Sequence, residues 1–155
     1  MSKQVYVFKA DLVGFRGVNR TIAVRADQTL VDVHEALRFA FDWDDDHLYS
    51  FWLDGKFWSG TRDEYTHPWH ASEPNPLAAF TMRPDPRSAD IPLDRLKLRE
   101  GQRIAYIFDF GDEWRVRLTL RQIAADDGRP YPLLLKSVGE APPQYQDYDE
   151  FEDVG

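Results

Sequence analysis

The segment FDFGDEW, residues 108–114, lies between two runs of alternating character, RIAYIFDF and WRVRLTLRQIA, and its reading decides the fold. Three carboxylates, Asp109, Asp112 and Glu113, surround Gly111 between aromatic residues, an arrangement open to two readings: a catalytic cluster or a hairpin turn. Strand alternation favours the turn. Ile104, Tyr106, Phe108 and Phe110 share one strand face, and Trp114, Val116, Leu118 and Leu120 share a face of the next strand. A two-residue loop at Gly111-Asp112 would pair Asp109 with Trp114 and mix charge into both faces. A loop of odd length, three or five residues, pairs Phe108 with Val116 and keeps one face apolar, because a slip of one residue exposes half the core. That register sets Asp109 opposite Arg115 on the polar face and leaves Asp112 and Glu113 at the tip, where Asp bonds locally and Gly supplies unusual φ. Two carboxylates divide acid and base roles only when burial or close like charge separates their pKa values, and turn-tip acids in water lack both.

Working outward, QVYVFKADLVG and GVNRTIAVRAD read as a second hairpin, with Gly14 and Gly17 flanking its loop. TLVDVHEALRFAFDW changes to a helical period over residues 29–42. Thr29 and Asp32 form a capping-box pattern, with Asp in place of the usual Glu or Gln. Leu30, Val33, Leu37, Ala40 and Phe41 then form one stripe about 100° wide that would pack on a sheet. His34 sits at the edge of that stripe and reads as a half-buried, hydrogen-bonded side chain. In HLYSFWLDGKFWSG, Asp54-Gly55 between aromatic runs signals a tight hairpin that would face Trp52 with Phe57. Residues 61–92 hold no clear period and are interrupted by six prolines, so they read as a long irregular loop, either a packed functional loop or a mobile flap. LDRLKLREGQ suggests a short helical turn ending near Gly101. The fold expected is α+β: an antiparallel-rich sheet of hairpins packed against one main helix, with residues 1–143 as a single domain.

At 155 residues and 43% hydrophobic content the chain can bury a core without staples, and having no cysteine it excludes thiol catalysis and Cys-ligated zinc. It reads as soluble and cytoplasmic, with no membrane partner: no apolar run reaches the length of a span and the N-terminus has no signal-peptide pattern. The net charge of −8 opposes nonspecific binding to nucleic acid. Five of those charges, Asp147, Asp149, Glu150, Glu152 and Asp153, belong to an acidic tail over 144–155 that reads as disordered; −8 less −5 leaves −3 for the remainder.

FDFGDEW, together with TLVDVHEALRFAFDWDDDHLYSFWLDG, resembles the plasmid pRiA4b ORF-3-like family over most of residues 5–143. The resemblance implies an α+β domain of hairpins on a helix, and some members are known as passenger proteins of insertion elements; it implies almost no biochemistry. Members often carry His-Leu-His where this chain has His47-Leu48-Tyr49, a histidine where it has Val116, and CPPED where it has APPQY at 141–145. If those groups form a metal site in relatives, three candidate ligands are absent here.

Other chemistry finds weak support. Asp42, Asp44 and Asp46 have the 1, 3, 5 spacing of a calcium loop, but His47 stands where Gly is required and Leu53 where Glu is required. His67 and His70, three apart across Pro68, are not a preorganised zinc site. Nucleotide, nucleophile-elbow and zincin motifs are missing, so no cofactor is expected. The favoured expectation is a non-enzymatic binding or accessory module for a protein or peptide, its surface built from Trp58, Trp69, Asp109, Asp112 and Trp114. The first alternative is a metal-assisted hydrolase using Asp46, His47, Asp109 and Asp112. A second is a nucleic-acid accessory protein, which requires Arg16, Arg20, Arg115, Arg117 and Arg121 to line one face.

Overall fold

The computed structural model describes residues 3–44, 47–72 and 85–144. In chain order the elements are β1 (Gln4–Leu12), β2 (Asn19–Arg25), α1 (Leu30–Phe41), β3 (Tyr49–Trp52), β4 (Glu64–Thr66), α2 (Pro68–Ser72), β5 (Arg87–Ser88), a 3-10 turn (Leu93–Arg95), β6 (Arg103–Phe108), β7 (Trp114–Ala125) and β8 (Leu133–Val138). The eight strands of the described residues join one sheet in the order β5-β4-β3-β6-β7-β1-β2-β8, antiparallel except for the β4–β5 pair. Two local hairpins, β1–β2 and β6–β7, are sealed to each other by β1 and β7, and β3 and β8 extend the two flanks.

Helix α1 covers one face. Thr29 accepts from the Asp32 N–H while Asp32 accepts from the Thr29 N–H, closing the capping box reciprocally. Leu30, Val33, Leu37, Ala40 and Phe41 are all buried, as their spacing predicts. They meet Tyr6, Phe8, Leu12, Ile22, Val24, Phe51, Ile104, Tyr106, Val116 and Leu118, the inward residues of alternating strands. His34 is 1% exposed rather than half-buried. Its Nδ1 lies 2.7 Å from the Tyr106 hydroxyl and its ring stacks on Tyr49 at 3.7 Å, so aromatic neighbours enclose the polar group.

Two local expectations need correction. Asp54-Gly55 does not close a two-residue hairpin: Gly55, with φ 79°, ends a turn begun at Trp52, and β3 pairs with β4 instead, placing Trp52 opposite Glu64. Asp54 accepts from the Lys56 N–H and the Ser59 hydroxyl, and Trp58 turns left-handed at φ 56°; together these curl the chain off the extended path. Residues 61–92 are not without regular structure, since β4, α2 and β5 fall within them; residues 73–84 lie outside the described set. The proline before Trp69 sits at the first position of α2, where its missing N–H costs nothing. The acidic tail from 145 onward is likewise outside the described residues, whereas Gln144 accepts from the Asp44 N–H at 2.8 Å. Among the described residues no helix is long and apolar enough to cross a membrane.

Candidate functional site

The loop joining β6 to β7 spans five residues, 109–113, with Phe108 opposite Trp114 and Tyr106 opposite Val116. Its odd length keeps the apolar face continuous, but the register lies two residues from the expected one. Asp109 is therefore a turn residue rather than the partner of Arg115, which lies opposite Ile107. Asp109 and Glu113 are both left-handed, with φ of 64° and 52°, and the Glu113 N–H closes the loop onto the Asp109 carbonyl at 2.6 Å. The Asp109 carboxylate accepts from the Gly111 N–H at 3.0 Å and the Asp112 N–H at 3.4 Å. At Gly111 a Cβ would stand 3.3 Å from that same oxygen, so glycine lets the carboxylate fold over the turn.

Opposite the helix, this loop meets a strap formed by residues 53–63. Trp52, Ala105 and Ile107 make a small second core there, covered by Phe57 and Phe110. Phe110 thus points away from the face shared by Ile104, Tyr106 and Phe108, because the chain reverses direction at left-handed Asp109. Trp58 packs edge-on against Trp52 at 5.3 Å and against Phe110 at 5.4 Å. Its indole N–H donates to Glu113 Oε1 at 2.9 Å, and Arg115 donates to the same oxygen at 2.8 Å. The Trp58 hydrogen bond, followed by the Arg115 one, holds the Glu113 carboxyl below the usual range. Arg115 and Arg117 lie over the Phe57 ring at 5.1 and 5.9 Å. His70, on α2, reaches Phe110 at 6.2 Å.

The expected surface residues therefore divide. Trp58 is 38% exposed and Trp69, beside His70 on α2, is 59% exposed. Trp114 is only partly exposed and packs between Phe15 and Trp43 on the helix side. Asp109 is 14% exposed at the loop base, and Asp112, at the exposed tip, contributes its backbone N–H to the Asp109 turn. Glu113, Phe57, Phe110 and His70 gather around Trp58 and its neighbours, a grouping beyond local pattern because the Trp58–Glu113 contact joins positions 55 apart in the chain.

Of the hydrolase set, His47 Nε2 stands 3.8 Å from Asp109 Oδ2 and Asp46 lies outside the described residues. Among the described residues no group of three His, Asp or Glu side chains is arranged to hold a metal ion. Asp42 caps α1 in the left-handed conformation, its N–H bonded to the Phe39 carbonyl, so the first of the calcium-loop acids serves as a helix end. The five arginines do not line one face. Arg20 is buried towards the helix and donates to the carbonyls of Asn19, Ala40, Val138 and Gly139, while Arg115 pairs with Glu113.

Residues 4–154 match the family described as Plasmid pRiA4b ORF-3-like protein. The chain belongs to that family. A relative, the uncharacterized protein y4hQ of Sinorhizobium fredii (strain NBRC 101917 / NGR234), is 27% identical over 135 residues; the match covers 82% of this chain and 58% of that protein. A solved structure, a protein of unknown function, MM3350, from Methanosarcina mazei Go1, superposes with a TM-score of 0.75 at 24% identity, over 99% of this chain and 82% of that one. The likeness establishes a shared fold. Of the positions where this chain departs from the family's usual residues, Tyr49 and Val116 are buried in the helix-side core and Ala141 is partly buried against it.

Proposed function

We propose that this member of the family is a non-enzymatic binding module for a protein or peptide, and that its contact surface is the strap, α2 and the 109–113 loop. The observation that carries the reading is Trp58, held by Glu113 and braced on Trp52 and Phe110 while 38% of it remains exposed. An indole fixed in orientation before binding loses little conformational freedom on contact, which is how tryptophan serves as an interface anchor. Trp69, more exposed, supplies a second ring on the neighbouring helix. The formal charge of −8 and the burial of Arg20 favour a polypeptide partner over nucleic acid. The association of relatives with insertion elements suggests an accessory role beside a mobile-element protein.

The test is affinity capture from lysate of the source cell, comparing the intact chain with a Trp58→Ala/Trp69→Ala variant of unchanged circular dichroism. A polypeptide retained by the intact chain and lost with the variant supports the reading. Identical capture profiles refute it.

The metal-assisted alternative keeps one specific observation, the 3.8 Å approach of His47 to Asp109. Isothermal titration with Zn²⁺ and Mn²⁺ of the intact chain and of His47→Ala decides it: stoichiometric binding abolished by the substitution would favour the hydrolase reading.

A further inference from the structure

Next to the first and last residues of the strap, the stretch RLKLR, residues 95–99, alternates cations with leucines. Leu93 and Leu98 are buried in the core, and Arg95, Lys97 and Arg99 are exposed beside them. Across from this stretch, Arg87 is held on β5 by parallel pairing with Tyr65. The four cations line one recess of about 680 Å³. That volume falls within the roughly 300–1,000 Å³ of small-molecule sites.

The recess gathers four of the chain's bases in one place. Acids outnumber bases 27 to 19, and elsewhere Lys3, Arg25, Arg38, Arg115 and Arg129 each find a carboxylate. Among the described residues, the side chains of Arg87, Arg95, Lys97 and Arg99 have no hydrogen bond or ion pair. Two carboxylates, Asp54 and Asp63, share the lining, Asp54 accepting from the Lys56 N–H and the Ser59 hydroxyl, so the recess sets four cations against two anions. Gathering like charges in one place costs stability, a cost that a bound anion reverses.

We propose that this recess binds a small phosphate-class polyanion. Three guanidinium forks and an ammonium suit the several oxygens of paired phosphate groups, since each fork can donate two parallel hydrogen bonds. The shared chemistry is the phosphate group; its source is inorganic or a nucleotide.

Calorimetric titration of the full chain at low salt with pyrophosphate, ATP and polyglutamate tests this. Expected are one saturable pyrophosphate site with Kd below ~1 mM, binding weakened at least ~tenfold by Arg95→Ala/Arg99→Ala, and no change in Arg121→Ala, an exposed arginine outside the recess. ATP at least ~tenfold tighter than pyrophosphate assigns the site to nucleotides, and equal affinity assigns it to the phosphates alone. A second readout is melting: without anion the double variant melts at or above the intact chain, and the rise that pyrophosphate gives the intact chain disappears. Absence of saturable pyrophosphate binding, equal weakening in all variants, polyglutamate binding alone, or a lower melting temperature of the anion-free double variant would each overturn the proposal.

Discussion

The Trp58 indole N–H and the Glu113 carboxylate meet at 2.9 Å across 55 residues of chain, joining the strap to the 109–113 loop. This bond, with that from Arg115, favours the charged form of Glu113 and lowers its pKa in the folded state. A lowered folded pKa means that the stabilisation is fully present above the unfolded value, about 4.3, and is lost as pH falls through the folded one. The Trp58 indole proton resonance should therefore move in a transition centred below the ordinary glutamate value, and Glu113→Gln should abolish the transition. A midpoint at or above the ordinary value would separate the strap from Glu113.

Tyr106 and His34 form a buried polar pair beneath α1. Tyr106→Phe keeps the ring and its contacts with Phe51 and Trp43 but deletes the hydroxyl. Removing one member of a buried hydrogen bond costs about 1–3 kcal/mol, to be read from the urea midpoint at unchanged m-value. A change under about 0.5 kcal/mol would mean that the bond contributes nothing net.

Gly139 closes the molecule near Arg20. It has φ 75°, and a Cβ there would stand 2.2 Å from the Gly17 carbonyl oxygen. Gly139→Ala therefore combines left-handed strain with a backbone clash, whereas Gly128→Ala, at φ 83° with nothing within 4 Å, carries the strain alone. Thermal melting should show the Gly139 substitution to be the more destabilising, with the Gly128 substitution costing about 1–2 kcal/mol. Equal losses would show that the loop containing Gly17 yields freely.

Local signals were legible where one residue's chemistry decides the outcome. Thr29 and Asp32 define the start of α1, and the alternation of Ile104, Tyr106 and Phe108 defines the inward face of β6. Parity at FDFGDEW was also readable, because an even loop would bury charge. The choice between odd registers was not, since it depends on Asp109 and Glu113 adopting left-handed conformations that local pattern does not demand. At Asp54-Gly55 a true turn signal was overridden by tertiary structure: Phe57 packs on the cluster of Trp52, Ala105 and Ile107 beneath Arg115 and Arg117. In LDRLKLREGQ the expected helical turn is the 3-10 turn Leu93–Arg95, which stops short of Gly101 because Lys97 turns left-handed just after it.

Arg20 is the last test, because it separates burial from charge. Its Nε donates to the Ala40 carbonyl at 2.9 Å, and its Nη1 reaches Asn19, Val138 and Gly139 carbonyls at 2.8–3.0 Å, while the guanidinium lies 5.3 Å from the Phe41 ring. One side chain thus fastens the end of α1 to the end of β8. Lysine retains the charge but has a single nitrogen, which cannot occupy both the Nε and Nη1 positions of the fork. Arg20→Lys should therefore leave carbonyls unsatisfied and destabilise by about 1–3 kcal/mol, with Arg20→Ala costing more through the cavity and the lost stacking. Hydrogen exchange adds the spatial readout: protection should fall first in β8 and at the C-terminal turn of α1. Uniform loss across the sheet would show that Arg20 supports the fold globally and does not clamp these two ends.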